Sequence, residues 1–82
     1  MIKPVAGSLV KLFAAKLTAG MEIMENDEIV TLLQVDIDLC EEYAVSYIFR
    51  DAAGKEWCGY GTLSATRFVK YSPGMNLVDI LA

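Results

Sequence analysis

Four carboxylates fall within one short stretch in the middle of the chain: Asp36, Asp38, Glu41 and Glu42. On a strand, the side chains of Asp36 and Asp38 point to the same side, about 7 Å apart. A hard cation such as Ca²⁺ takes roughly 6–8 oxygen ligands, usually from a tight loop that turns at a glycine, and this stretch has none. We therefore predict a solvent-exposed acidic edge that docks a partner, with no metal site and no bound cofactor.

Residues suited to catalysis are scarce. The sequence contains no histidine, which removes the commonest general base and the Ser-His and Cys-His nucleophile pairs. Cys40 and Cys58 form no Cys-x-x-Cys motif, and two cysteines alone cannot build a tetrahedral zinc site. Paired carboxylates, as in glycosidases, need a ligand-burying cleft for which a small domain has little room. We predict a protein that is not an enzyme and has no catalytic residue.

Length, charge and hydropathy set further limits. The chain of 82 residues suits one domain, 1–82, with a thin core, and no apolar run approaches the ~18 residues that span a bilayer. Gly7, Ser8 and Lys11 interrupt the apolar N-terminal stretch, and no signal-peptide cleavage motif follows. We expect a cytoplasmic protein, with reduced thiols and no membrane partner.

Charge is unevenly distributed along the chain. The net charge is −4, yet residues 17–49 contain eight Asp and Glu and no Lys or Arg, whereas the remainder contains seven basic and three acidic residues. Such polarity indicates a solvated acidic face or a docking patch for a basic partner. An acidic balance disfavours nucleic acid as the partner.

A β-hairpin is the clearest structural unit. Residues 43–50 alternate between apolar and more polar side chains, and the turn 51–54 ends in glycine, as expected for two strands joined by a type I turn. In the second strand, Gly59 and Gly61 share a face with Trp57. These glycines indicate either barrel curvature around a core tryptophan or a shallow groove formed by Trp57 or Tyr60 with Tyr43, Tyr47 or Tyr71.

The remaining chain predicts further strands and one ambiguous segment. Residues 28–38 form a long strand and 67–71 a short one, with Ile29, Thr31, Leu33, Val35 and Ile37 on one face of the former. Residues 8–17 fit either a strand or a helix. The apolar tail residues Leu77, Ile80 and Leu81 have helical spacing, and so short a helix must dock on something.

The pattern Leu17-x-x-Gly20-Met21-x-Ile23, followed by Ile29-Val30 and Val35, resembles the SH3-like barrels of the KOW and elongation-factor-P N-domain type. The resemblance covers roughly residues 8–71. It implies a mainly β fold: a five-stranded antiparallel SH3-like barrel or curved meander with a short C-terminal helix. The family's Gly-Lys-Gly-type loop is replaced here by Leu39-Cys40-Glu41-Glu42, so no translation-factor role is implied. The alternative is an α+β fold with a helix over residues 8–17 packed on an antiparallel sheet.

These observations favour a small non-catalytic protein-binding module, adaptor-like or inhibitor-like. The predicted partner-binding residues combine the acidic stretch with the aromatic hairpin: Asp36, Asp38, Glu41, Glu42, Tyr47, Trp57 and Tyr60. One alternative is binding of single-stranded nucleic acid through the aromatic hairpin and the basic C-terminal half. Another is a structural homo-oligomer, such as a homodimer sealed by Leu77, Ile80 and Leu81.

Overall fold

A computed structural model describes residues 3–81; Met1, Ile2 and Ala82, the ends of the predicted domain, lie outside that range. Within it, six strands are joined by turns and two short 3-10 segments, Ala14–Lys16 and Leu77–Asp79. The strands are β1 (Leu9–Phe13), β2 (Glu22–Glu25), β3 (Glu28–Ile37), β4 (Val45–Arg50), β5 (Glu56–Gly61) and β6 (Thr66–Lys70). Neither helical segment in residues 3–81 has the length or apolar character to cross a bilayer.

The strands form one antiparallel sheet in the order β1-β6-β2-β3-β4-β5. The mainly β class is therefore confirmed, with six strands where five were predicted. The order is that of an open sheet with β1 and β5 at its edges, so the SH3-like barrel is not confirmed.

The ambiguous segment 8–17 is a strand followed by a 3-10 turn, and the helical alternative is wrong. β1 pairs along its full length with β6, and the amide of Ala14 donates to the carbonyl of Ala65 at 2.7 Å. Leu12, Ala14 and Leu17 are buried. Pairing with a strand distant in sequence has outweighed the helical propensity of alanine, leucine and lysine.

The predicted C-terminal helix is a single 3-10 turn. Asn76 begins it, and its side-chain oxygen accepts the amide of Val78 at 3.0 Å. Beyond the turn, the amide of Leu81 donates to the carbonyl of Lys11 at 2.8 Å, and Ile80 packs against the core. The tail therefore docks on its own chain, along β1.

A β-bulge divides β3 into two halves: even-numbered side chains face the core before it, and odd-numbered side chains do so after it. The pairing register with β4 shifts between Leu32 and Gln34, which makes Leu33 the additional residue. Before the bulge, Val30 and Leu32 are buried, whereas after it Val35 packs on the core. The predicted sharing of one face by Ile29, Thr31, Leu33, Val35 and Ile37 is therefore wrong, because one inserted residue moves every later side chain to the other face.

The core lies on the inner face of the sheet. The β4–β5 hairpin is confirmed, with Gly54 at φ +84° in its turn. Residues of β4 alternate as the sequence predicts: the odd-numbered ones are buried and the even-numbered ones are not. The buried apolar residues are Leu12, Ala14, Leu17, Ile23, Val30, Leu32, Ala44, Val45, Tyr47, Phe49, Val69 and Tyr71.

Candidate protein-binding site

An open depression of about 440 Å³ lies on the outer face, where β3 and β5 end and β4 begins. We call it the tyrosine depression. Two exposed aromatic rings, Tyr43 and Tyr60, contribute to its wall, at 59% and 60% exposure. The full lining is Asp38, Glu41, Glu42, Tyr43, Ala44, Ser46 and Tyr60. These residues include three carboxylates and no Lys or Arg, so the surface suits a cationic group.

The loop between β3 and β4 is held by Asp38. Its amide donates to the carbonyl of Ala44 at 2.8 Å, and its carbonyl accepts the amide of Glu41 at 3.1 Å. One oxygen of its carboxylate accepts the amide of Cys40 at 3.0 Å. An aspartate that accepts an amide two residues later stabilises a turn. This turn carries Glu41 and Glu42 toward Tyr60, which lies on a different strand.

Asp36 lies beside the depression and not in its lining. It pairs with Ser46 on β4, which in turn pairs with Tyr60 on β5, so the three side chains form a row across the outer face. The Asp36 carboxylate accepts a hydrogen bond from the side-chain amide of Gln34 at 2.6 Å. Of the four predicted acidic residues, the structure thus places three in one depression and the fourth next to it.

Trp57 lies on the inner face of β5, opposite to the side that carries Tyr60. It is 47% exposed, so it is not a core tryptophan. Its indole N–H donates to the Asp51 carboxylate at 2.9 Å, and the ammonium of Lys55 lies 4.3 Å from the ring centre. Trp57 and Tyr60 face opposite sides of the sheet, as the alternation along a strand requires. Among the tyrosines predicted to form a groove, Tyr43 is the one that shares a depression with Tyr60.

Tyr47 is a core residue, with 2% exposure, so a partner has no access to its ring. The ring covers Gly59 on β5, where a side chain would overlap it. Its hydroxyl donates to the Glu25 carboxylate at 2.7 Å and accepts from Arg67 Nε at 3.2 Å. Burial raises the pKa of Tyr47 above 10.0. The space beside Gly59 is filled by this tyrosine from within the same chain, whereas Gly61 faces Ala14, Ala65 and Arg67.

The basic side chains are largely engaged with their own protein. Arg50 lies 3.6 Å from Glu56, and Lys70 lies 3.6 Å from Glu22. Four other basic side chains also have partners within the chain. Lys11 lies over the ring of Phe68 and Lys55 over that of Trp57, Lys16 pairs with Asp79, and Arg67 binds Tyr47. This arrangement provides little continuous positive surface for phosphates.

Cys40 and Cys58 are free and exposed. Across residues 3–81, no group of three or more cysteine or acidic side chains is close enough to hold a metal ion.

The turn of the hairpin depends on an ionised Asp51. One carboxylate oxygen accepts the amides of Ala53 and Lys55 at 3.0 and 2.9 Å, while the other binds the indole of Trp57. The indole hydrogen bond, followed by that of the Lys55 amide, lowers the pKa of Asp51 below 3.8. This stabilisation is present above the unfolded-state pKa and is lost as the pH falls through the lower folded-state pKa.

We therefore expect Asp51→Asn to destabilise the protein at neutral pH and to have a smaller effect at a pH low enough to protonate wild-type Asp51. Thermal unfolding of both proteins across this pH range measures the difference. A difference in melting temperature that is constant with pH would contradict the role of the ionised carboxylate.

Sequence reasoning named Tyr43 among the tyrosines of a predicted aromatic groove but did not place it beside Glu41 and Glu42, and it missed Glu25 and Arg67 as partners of Tyr47. Tyr43 precedes β4 and lies near Tyr60 only because the loop turns at Asp38. Glu25 and Arg67 come from β2 and β6, and no local pattern links them. The signal for such partners in the sequence is a tyrosine predicted to face the core, because a buried hydroxyl requires a hydrogen-bond partner.

Comparisons of this chain with known protein families, with characterised proteins and with solved structures find no match.

Proposed function

We propose that this protein is a small non-catalytic binding module, of an adaptor or inhibitor kind, that takes a basic segment of a partner protein in the tyrosine depression. The observation that carries the proposal is the convergence of Glu41, Glu42 and Asp38 with two exposed tyrosines. Tyrosine rings provide apolar contact area and a hydroxyl at low entropic cost, and their faces attract Lys and Arg.

Charge supports the same kind of partner. The acidic stretch 17–49 includes most of the lining of the depression, and its field attracts a cationic segment before contact. Charges at the rim of a binding surface change the association rate and its salt dependence. The tyrosines then supply the contact that holds the segment.

The proposal is tested with a labelled, end-capped peptide, Lys-Val-Lys-Val-Lys-Val, by fluorescence polarisation at low salt. In the variant Glu41→Lys/Glu42→Lys, we expect binding to weaken by roughly tenfold or more, because two attractive contacts become repulsive. Asp38 is left unchanged, because its carboxylate also stabilises the loop.

The matched control is Glu22→Lys/Glu28→Lys, which changes the net charge equally at positions outside the depression. It is expected to retain most of the affinity. Equal weakening in both variants would show attraction to net charge alone and would contradict a specific site in the depression.

Single-stranded nucleic acid remains the alternative ligand, and a labelled oligothymidine in the same assay tests it. Binding that falls steeply with salt and persists in Glu41→Lys/Glu42→Lys would favour that alternative.

For a structural homo-oligomer through Leu77, Ile80 and Leu81, the corresponding measurement is sedimentation of a chain truncated after Gly74. An SH3-like arrangement is also a proposal here, supported by the approach of β6 to the end of β5 through Arg67 and Tyr60.

A further inference from the structure

The two edges of the sheet differ in how they are covered. Along β1, the tail residue Leu81 donates its amide to the carbonyl of Lys11. Along β5, no strand among residues 3–81 pairs with the outer side. Edge strands are commonly protected by proline, lysine, a bulge or a covering segment. β5 contains neither proline nor lysine, its pairing with β4 is regular, and its one charged residue is Glu56.

The register of the hairpin identifies the backbone groups that face outward. The amide of Asp51 donates to the carbonyl of Lys55 at 2.9 Å, so these two form a hydrogen-bonded pair. In an antiparallel ladder such pairs recur at every second residue. Trp57, Gly59 and Gly61 therefore direct their amides and carbonyls toward β4. The intervening residues of β5 direct theirs away from it: Glu56, Cys58 and Tyr60.

An independent contact supports this assignment. The carbonyl of Tyr60 accepts a hydrogen bond from Arg67 Nη2 of β6 at 2.9 Å, as expected of a carbonyl that is not used in the ladder with β4. The outward groups left for another strand are the amide and carbonyl of Glu56 and of Cys58, and the amide of Tyr60. These form a short ladder beside the tyrosine depression, because Tyr60 belongs to both.

We propose that the basic segment of the partner binds in an extended conformation and adds to β5 as a seventh strand. This inference rests on the proposed function and specifies its mode. Main-chain hydrogen bonds supply affinity in strand addition, and alternate side chains supply specificity. A strand along β5 directs every second side chain to the outer face, beside Tyr60 and the carboxylates of Glu41 and Glu42. Lysine or arginine at those positions matches the charge of the depression, whereas a second copy of this acidic chain does not.

The experiment uses the full chain and two peptides of equal charge and side-chain sequence, Lys-Val-Lys-Val-Lys-Val and the same peptide with every backbone amide N-methylated. The second peptide has no backbone N–H and cannot donate to a ladder. We expect it to bind roughly tenfold more weakly, since several main-chain hydrogen bonds are lost. Equal affinities would overturn strand addition and leave the proposed function standing. If Glu41→Lys/Glu42→Lys binds the first peptide as well as wild type does, the proposed function fails instead.

Amide hydrogen exchange on the wild-type chain provides the second measurement. In the free protein, we expect the amides of Glu56 and Cys58 to exchange quickly and those of Trp57 and Gly59 slowly. Saturation with the Lys-Val peptide is expected to slow Glu56 and Cys58. Binding without that protection would place the peptide elsewhere and overturn the inference.

The matched variants are Cys58→Pro and Cys58→Val. Proline removes an amide that faces away from β4, a position at which edge strands tolerate it, whereas valine retains that amide. We expect Cys58→Pro to weaken peptide binding roughly tenfold and Cys58→Val to have little effect. Equal binding by both variants would contradict strand addition, and hydrogen exchange decides the question if the proline variant does not fold. A dimer of the free protein that Cys58→Pro dissociates would assign the edge to a second copy and overturn the inference.

Discussion

Replacing Gly59 with alanine is expected to destabilise the protein by about 2–3 kcal/mol, the range for a group forced into a packed core. A Cβ atom at this position would overlap the ring of Tyr47. That ring has little freedom to move, because it is buried and its hydroxyl is bound to both Glu25 and Arg67. Urea denaturation followed by circular dichroism measures the free energy of unfolding.

Gly74→Ala is the matched control for this substitution. No heavy atom lies within 4 Å of a Cβ at position 74, and Gly74 is not among the glycines with positive φ, so a change within about 0.5 kcal/mol is expected. In a Tyr47→Leu background the cost of Gly59→Ala is expected to fall, since the overlapping ring is gone. An equal cost in both backgrounds would show that Tyr47 is not the cause.

Replacing Arg67 with methionine is expected to cost about 2–3 kcal/mol, in line with the loss of three hydrogen bonds from a charged donor, of which the one to Tyr47 is partly buried. Its guanidinium binds the Tyr47 hydroxyl at 3.2 Å, the Tyr60 carbonyl at 2.9 Å and the Thr66 carbonyl at 2.8 Å. One side chain thereby fastens β6 to both strands of the hairpin. Urea denaturation gives the free energy, as for Gly59→Ala.

Arg67→Lys separates geometry from charge. A lysine presents a single ammonium and cannot reproduce the planar fork of the guanidinium, so we expect only partial recovery. Burial raises the pKa of Tyr47, and Arg67 acts in the opposite direction. Absorbance titration of Arg67→Met is therefore expected to show a higher tyrosine pKa than wild type. An unchanged tyrosine titration would contradict the contact between the two side chains.

Local patterns predicted the parts of the fold that depend on near neighbours. The β4–β5 hairpin follows from alternating residues around a turn that ends in Gly54, and both its strands and its turn were predicted. The facing of β3 was predicted correctly only beyond Leu33, because a bulge depends on pairing with β4 and leaves no mark in the strand's own alternation. Residues 8–17 were ambiguous because β1 obtains its partner from the far end of the chain.

For the candidate site, too, the sequence predicted the features that depend on near neighbours and not those that depend on strand pairing. Asp38, Glu41 and Glu42 are near neighbours in sequence, and their joint exposure followed from their charge. The approach of Tyr60 to them depends on the strand register. The separation of Trp57 from Tyr60 also follows from strand geometry, since residues three apart on a strand face opposite sides. Tyr47 and Tyr60 are both tyrosines, and the burial of Tyr47 against Gly59 is what distinguishes it from the exposed Tyr60.

The pairing of β1 with β6 has a consequence for the order of folding. β1 is synthesised before the other five strands, yet its partner strand is the last of the six. The β4–β5 hairpin needs only a short loop and can form early, whereas closing the long loop between β1 and β6 is slow. β1 therefore stays without its partner strand until β6 has been synthesised, and an unpaired strand edge is prone to aggregation during that interval.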